Sequence, residues 1–520
     1  MTNLKDYVNW KLTHADKTAE AEGYPLVMEN CKANKRMKQL ELYGNSIQDG
    51  TPTPDNPIEV QSVGERTINL FDKDTAIKQL AYINVSQSRY YYSADSSSIA
   101  IPCNPNTTYT ISHGIQTSIF RACYIKSDIL PAPTGSQVLD AYECIQSSGD
   151  NVLQVTTGEE CTYLIIQCAS AVYDDFIQTL QIQEGSTVTP YEPYGKYKIP
   201  VVTRGINLIN VDDFKNGNFK VNVDGSCTLS WTLSSRFSAY NTNLSHIPAG
   251  SKLVFKTSIV DATTNYKHVL IQLTYSNGTT KYLTCNGSTR ITLEDTIKRV
   301  GLYVHNSEEK GSYITFKEFG LYYENEYIGY ESYTEPTSTN IFLNEPLRKI
   351  GNYADYVDFK NKKVVRYNYG FTITSSISDD WRFGVDTWQR DGHVDVNIQK
   401  FFKYQPIQGK GVCNRFESGN WTWESNTFPN SYIYFWDSRV HIIIENKYLD
   451  GITDESTNAQ KISAVKAFFD VNNTYVVYPM KTPTEESITC ELPKLNAKTT
   501  IIEVDTSIAP SDAYGKYIKR

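Results

Sequence analysis

The chain lacks any apolar run of about 18 residues, so no segment of it is expected to cross a bilayer as a helix. Its opening residues, Met1-Thr2-Asn3-Leu4-Lys5-Asp6, have no apolar stretch of the kind a signal peptide needs, which predicts synthesis and folding in a cytosol. It also lacks an excess of positive charge. The 50 Lys and Arg are outnumbered by 58 Asp and Glu, for a net charge of −8, so no basic field exists to hold a nucleic-acid backbone. None of the ten cysteines forms a CxxC pair. Cys103, Cys123, Cys168 and Cys227 sit in apolar or alternating segments and read as small buried hydrophobes rather than metal ligands or disulfide partners. There is no Walker loop, no GxSxG and no HExxH. The seven histidines (His14, His113, His246, His268, His305, His393 and His441) are far apart, without sequence-near metal partners. No cofactor and no metal is expected.

What the chain does contain is a phrase that occurs twice. Arg66-Thr67-Ile68-Asn69-Leu70-Phe71 is matched by Arg204-Gly205-Ile206-Asn207-Leu208-Ile209. Each opening leads, after similar lengths, to a similar close: Tyr191-Glu192-Pro193-Tyr194 and Tyr330-Glu331-Ser332-Tyr333. A fixed start and a fixed end at one spacing mark a duplicated module. At 520 residues the chain is too long for one core, and three or four domains are expected.

Within the repeats, short β-rich runs such as Thr108–Ser112, Val152–Thr156 and Tyr163–Ala169 alternate with turn clusters such as Asn104-Pro105-Asn106 and Gly149-Asp150-Asn151. That spacing predicts antiparallel β-sandwiches. Val223-Asp224-Gly225-Ser226 and Ser276-Asn277-Gly278-Thr279 read as hairpin turns in the second repeat. The expected division is an arm and connector over 1–63, a sandwich over 64–203, its repeat over 204–335, and a β-rich module over 336–520. In the arm, Leu4, Val8 and Leu12 form a narrow apolar stripe that predicts a helix through about Glu22, stopped by Gly23 and Pro25. Gly50 to Pro57, with three prolines, predicts a stiff extended connector. In the last module, Asn361 marks a hairpin turn. A helix is predicted over 456–470, with Ser456 or Asp454 as N-cap and Ile462, Val465, Phe468 and Phe469 as its apolar face.

Several phrases carry a family resemblance. Asn45-Ser46-Ile47-Gln48-Asp49-Gly50-Thr51-Pro52-Thr53-Pro54-Asp55-Asn56-Pro57-Ile58-Glu59-Val60 resembles a phrase recurrent in tail-associated minor structural proteins of bacteriophages and prophages of Gram-positive bacteria. Asn69-Leu70-Phe71 with the Tyr-Glu-Pro-Tyr close, and Leu180 to Gly185, resemble the first and last strands of their carbohydrate-binding-module-like sandwich, a jelly-roll. Pro479 to Glu486 and Ile501 to Ser511 also resemble these proteins. The resemblance implies a mainly β chain in the tail or baseplate of a virion, contacts with other tail proteins and with host cell-wall or capsule glycan, and a homo-oligomer, with a trimer favoured. The arm would make the tail contact. The second repeat departs from the pattern at Ile209 and Ser332, which puts any ligand site there in doubt.

The remaining chemistry admits more than one reading. The carboxylate pairs Asp174-Asp175, Glu308-Glu309, Asp379-Asp380 and Glu485-Glu486 would serve a glycan-degrading enzyme only if two groups converged on one bond, and neighbours in a strand point to opposite faces. Aromatic clustering points instead to binding. Trp381, Trp388, Trp421, Trp423 and Trp436 fall in one stretch with Tyr432 and Tyr434, and Asp379, Asp380, Arg382, Asp386 and Arg390 lie near. A flat aromatic face covers the C–H patch of a sugar ring while polar groups fix its hydroxyls. Trp381, Trp388, Trp421, Trp423, Tyr432 and Trp436 are therefore the candidate glycan face, with sandwich core as the competing role. Tyr90 and Tyr92 share a face by alternation and form a second candidate. Three functions follow: a non-enzymatic adhesive tail protein, an assembly protein whose aromatic faces bury against other tail subunits, and a glycan hydrolase.

Overall fold

The computed structural model describes residues 18–21, 26–29, 40–115, 119–214, 218–231, 237–241, 244–263, 265, 267–304, 309–384, 391–400, 402–418, 431–436, 438–490, 499–504 and 514–518. The chain is mainly β, in mostly antiparallel sheets, as the turn spacing predicts. Its contacts divide it into two units: 64–198 with 342–346, and 1–63 with 199–341 and 347–520.

The first unit is a sandwich. One sheet runs Val138–Asp140, Arg89–Pro102, Tyr163–Ala169, Arg121–Ile125, Tyr142–Gln146, with Gln79–Asn84 also paired to Arg89–Pro102. The other runs Val152–Thr156, Thr108–Ser112, Gln181–Glu184. Residues alternate inward along each strand, so Ile99, Ala122, Leu164 and Ile166 of the first sheet share a core with Ile111, Val155 and Ile182 of the second.

The duplicated phrase has a physical cause. Asn69 is buried, and its side chain stands in for two rungs of ladder. Its Oδ1 accepts from the backbone N–H of Phe71 (3.0 Å) and of Ile182 (3.1 Å). Its Nδ2 donates to the carbonyls of Leu180 (3.1 Å) and Glu192 (3.0 Å). One amide thus ties the first residues of the module to its last strand and to its closing phrase. The Glu192 carboxylate, also buried, accepts from Ile68 N–H (3.0 Å) and pairs with Lys198 (2.6 Å). Asn207 repeats the clasp in the second sandwich. Its Oδ1 accepts from Ile209 N–H and Leu321 N–H (3.1 Å each), and its Nδ2 donates to Glu331 O (3.0 Å).

His113 lies buried in the first core, 4.8 Å from Phe120 and 4.9 Å from Phe176 between ring centroids. Burial pushes its pKa down, against a smaller raising effect of the Ile115 backbone. The unfolded chain therefore takes up the proton first. The stability of this unit should be full above about pH 6.5 and fall as pH drops below it, by at most about 1.4 kcal/mol per pH unit. Urea midpoints for this unit at pH 7.5 and 5.5 should separate in the native chain and converge in His113→Leu; a separation that persists in the variant assigns the acid loss elsewhere.

In the second unit the repeat sandwich pairs a five-stranded sheet with a four-stranded one. The first runs Phe219–Val221, Cys227–Ser230, Tyr313–Tyr323, Lys252–Ala262, Gly287–Thr292, and the second Phe237–Asn241, Ile297–Tyr303, Val269–Tyr275, Thr280–Cys285. Both predicted hairpin turns form, with Gly225 and Gly278 at φ of 78° and 85°, where a side chain would be strained. The 336–520 region carries a five-stranded sheet, Asp380–Phe383, His393–Gln399, Arg439–Glu445, Tyr432–Phe435, Glu417–Ser418, against the helix Asn458–Val471. That helix starts at an N-cap on Thr457, whose hydroxyl accepts from Gln460 N–H while Gln460 Oε1 accepts from Thr457 N–H. The cap is neither Ser456 nor Asp454, because only Thr457 has the reciprocal Gln three residues on. The predicted turn at Asn361 forms between Tyr356–Asp358 and Lys363–Ile373, with Asn361 N–H donating to Asp358 Oδ1 (3.0 Å).

Asp355 is fully buried here and acts as a hub. Its carboxylate accepts from the backbone N–H of Arg348 (3.1 Å), Tyr367 (2.8 Å) and Asn368 (2.9 Å), and lies 3.6 Å from Arg366 Nη1.

The arm and connector differ from expectation. Residues 1–17, with Leu4, Val8 and Leu12, lie outside the described residues. Thr18–Ala21, expected at the end of a helix, is a strand paired antiparallel with Tyr514–Ile518. Leu26–Glu29 pairs with Thr499–Val504, and Leu40–Tyr43 with both Tyr514–Ile518 and Tyr356–Asp358. A short helix with a narrow stripe is marginal by itself, whereas pairing with the far end of the chain satisfies the same backbone groups. The proline connector is docked rather than free: Arg415 donates to Pro54 O (2.6 Å), and Ile58 N–H to Asn414 O (2.7 Å).

Candidate functional site

The predicted aromatic face does not assemble as one surface among the described residues. Trp381, on Asp380–Phe383, is 8% exposed and belongs to the core, with its ring 6.1 Å from Phe469 and the Lys466 ammonium 5.4 Å above it. Tyr432 is equally buried, at 8%. On Tyr432–Phe435 both faces are covered, so alternation puts Ile433 and Phe435 into the core and still leaves the tyrosines little exposure. Core packing therefore replaces glycan contact for Trp381 and Tyr432. Trp436 is half-buried, 5.1 Å from Tyr434, with the Arg439 guanidinium 5.2 Å above its ring. Trp388, Trp421 and Trp423 lie outside the described residues.

Tyr90 and Tyr92 differ in exposure. Tyr90 is fully buried, its hydroxyl 2.6 Å from Gln79 Oε1 and 2.7 Å from Ser98 Oγ, whereas Tyr92 is exposed. Between them the register is regular, with Ile83 opposite Tyr90 and Ala81 opposite Tyr92, so the two sit on one face as alternation predicts. The irregularity lies beyond Tyr92, where Leu80 pairs with Ser97.

Among the described residues the carboxylate pairs do not converge either, and Glu308 of the Glu308-Glu309 pair lies outside them. Asp174 and Asp175 occupy the first turn of the helix Tyr173–Thr179, where they favour its positive end. Asp380 pairs with Arg382 (2.6 Å) and Lys400 (3.2 Å), and Glu485 pairs with Lys363.

A concave site that the aromatic count did not single out lies in the first unit. It is a cleft of about 540 Å³. The Asn69 clasp shapes its mouth by turning Phe71 into the core and leaving Leu70 45% exposed at the rim. Ile77, 62% exposed, and Tyr194, 42% exposed, complete the rim. The wall is the end of the long strand, Ile99 to Pro102, which leads into a disulfide between Cys103 and Cys161. That disulfide corrects the reading of Cys103 as a free buried hydrophobe. Its two halves are 58 residues apart, with nothing between them to signal pairing. Next to it Asn104 Nδ2 donates to Glu184 Oε1 (3.0 Å), and Asn104 N–H donates to the Tyr109 hydroxyl (2.8 Å). Burial raises the Tyr109 pKa, and the Glu184 charge adds to this.

Among the described residues the lining includes the carboxylates Asp72 and Glu184 but no lysine or arginine. Such a site repels anionic ligands and offers hydrogen-bond acceptors beside an apolar wall. It matches a neutral polyhydroxylated ring, which presents C–H patches and O–H donors together. The second sandwich has closed the corresponding place: Leu208 is 7% exposed and Ile209 is fully buried, both within its core. Leu70 and Tyr194 belong to the duplicated phrases, so the signal for this site was present in the sequence as a repeat rather than as an aromatic cluster.

No protein-family model and no curated protein sequence matches the chain. Among solved structures, it is similar to the N-terminal CBM22-1-CBM22-2 tandem domain from Paenibacillus barcinonensis Xyn10C, at 9% identity and a TM-score of 0.21, over 54% of this chain and 98% of that one. It is also similar to allantoicase at 9% identity and a TM-score of 0.14, over 60% and 98% of the two chains. An oxalate decarboxylase variant from Bacillus subtilis follows at 7% identity and a TM-score of 0.10, over 53% and 80%. At these scores the likenesses carry no argument about function.

Proposed function

We propose that this chain is a non-enzymatic structural and adhesive protein of a bacteriophage tail or baseplate, and that it holds neutral host cell-surface glycan through its first sandwich. The observation that carries the adhesive part is the cleft rimmed by Leu70, Ile77 and Tyr194, lined by two carboxylates and, among the described residues, no cation. The virion location rests on the phrase from Asn45 to Val60 and the repeated module phrases. A disulfide between Cys103 and Cys161 suits a protein that acts outside a cell, where such bonds persist. One shallow site binds weakly. A homo-oligomer, a trimer in this reading, would add such sites by avidity.

Mass spectrometry of purified phage or induced prophage particles tests the location. The chain should be present at several copies per particle and co-purify with tail rather than head fractions. Its absence from intact particles would sink the virion reading while leaving the cleft untouched.

A further inference from the structure

Two further cysteines of the first unit face each other across a pair of strands. Arg121–Ile125 pairs with the edge strand Tyr142–Gln146, with Ala122 opposite Ile145 and Tyr124 opposite Tyr142. The register shifts between those rungs, so Glu143 and Cys144 together oppose Cys123. This is a β-bulge, and Glu143 takes the positive φ (48°) that such bulges demand. Cys123 and Cys144 pack in one small apolar cluster with Ile125 and Ile165, on the opposite side of the sheet from the main core. Cys123 is buried and Cys144 half-buried. The two thiols are neighbours whose titrations influence each other.

We propose that Cys123 and Cys144 form a redox-closable pair, oxidised by a low-molecular-weight disulfide, which staples the edge strand Tyr142–Gln146 to the sheet. The Cys144 thiolate attacks one sulfur of the small disulfide, breaking its S–S bond and releasing one small thiol. The Cys123 thiolate then attacks Cys144 Sγ in the mixed disulfide and expels the second small thiol. The two protein thiols lose two electrons and two protons. The small disulfide gains both and becomes two thiols, so the exchange balances.

The asymmetry of the pair sets the order of events. The neighbouring Cys123 thiol lowers the Cys144 pKa, and Cys144 is the more accessible of the two. Burial holds the Cys123 pKa well above the usual thiol range, so it reacts second and only with its neighbour. The consequence is structural. An edge strand exposes unpaired backbone groups and frays first, and a cross-link from its middle to the next strand removes that freedom. The site lies in the sheet rather than at the cleft, and the inference is independent of glycan binding.

The test is to incubate the native full-length chain with oxidised glutathione, alkylate the remaining thiols, and map the peptides by mass spectrometry. Cys123 and Cys144 should lose alkylation together and appear in one cross-linked peptide that a dithiol reductant reverses. Hydrogen exchange across Tyr142–Gln146 should slow at least several-fold in the oxidised form. In Cys123→Ser, Cys144 should stop at the glutathione mixed disulfide. In Cys144→Ser, Cys123 should remain unmodified. A native chain in which Cys144 keeps stable glutathione, or in which Cys123 stays alkylatable after Cys144 has reacted, would overturn the proposal without recourse to any variant.

Discussion

Asn69→Ala should open the first sandwich. The change deletes four hydrogen bonds of a buried amide and strands two N–H groups and two carbonyls without partners. At about 1 kcal/mol for each bond, plus the cost of unsatisfied buried groups, the loss should reach about 3–5 kcal/mol, a large part of a domain's stability. Hydrogen exchange locates the effect: protection at Phe71 and Ile182, whose N–H groups bond to Asn69, should fall first and furthest. Asn69→Asp keeps the acceptor oxygen but cannot donate to Leu180 O and Glu192 O, and should lie between. Asn207→Ala should act in the same way on the second sandwich through Ile209 and Leu321. If Asn69→Ala leaves exchange at Ile182 unchanged, the clasp does not hold the module shut.

Asp355→Ala should cost about as much, for a different reason. The variant removes the carboxylate that accepts from the Arg348, Tyr367 and Asn368 backbones and that lies 3.6 Å from the buried Arg366 guanidinium. Breaking a buried charge pair by removing one partner costs about 3–5 kcal/mol. Asp355→Asn retains one acceptor but turns an N–H toward groups that themselves donate, so it should be intermediate rather than neutral. Denaturant midpoints of the three chains, followed by fluorescence of the tryptophan-rich C-terminal region, give the ranking. Equal midpoints would mean that Asp355 is a passenger in this core.

The parts of the fold legible in the sequence were those set by local chemistry. The turns at Gly225 and Gly278 form because few residues other than glycine accept their positive φ. The helix Asn458–Val471 follows from its period, with Val465, Phe468 and Phe469 inward as read, though its cap is Thr457 rather than Ser456 or Asp454. The repeat was legible because the Asn69 and Asn207 clasps leave few alternatives at those positions. The failures were non-local. Thr18–Ala21 is a strand only because Tyr514–Ile518, at the other end of the chain, lies beside it. The Cys103–Cys161 bond spans 58 residues without a pattern. Tyr90 and Tyr92 share a face, as alternation predicts, but differ in burial, which alternation does not set. Trp381 and Tyr432 show why an aromatic cluster is ambiguous. The area that makes an aromatic ring a good sugar platform also makes it a good core filler, and only the second layer of packing decides between the two. The cleft was hidden for the converse reason: its rim is Leu70, Ile77 and a single tyrosine, Tyr194, with no aromatic cluster to signal it.

The adhesive reading is tested most directly by calorimetric titration of purified full-length chain with wall polysaccharide from Gram-positive hosts, the native chain beside Tyr194→Ala. Tyr194 sits at the rim and is 42% exposed, so its removal should leave the fold intact. The account predicts saturable binding to a neutral polysaccharide, little changed by salt, and weakened about tenfold or more in the variant, equivalent to about 1.4 kcal/mol. Binding that is equal in the two chains, or that requires an anionic polymer and vanishes with salt, would contradict it.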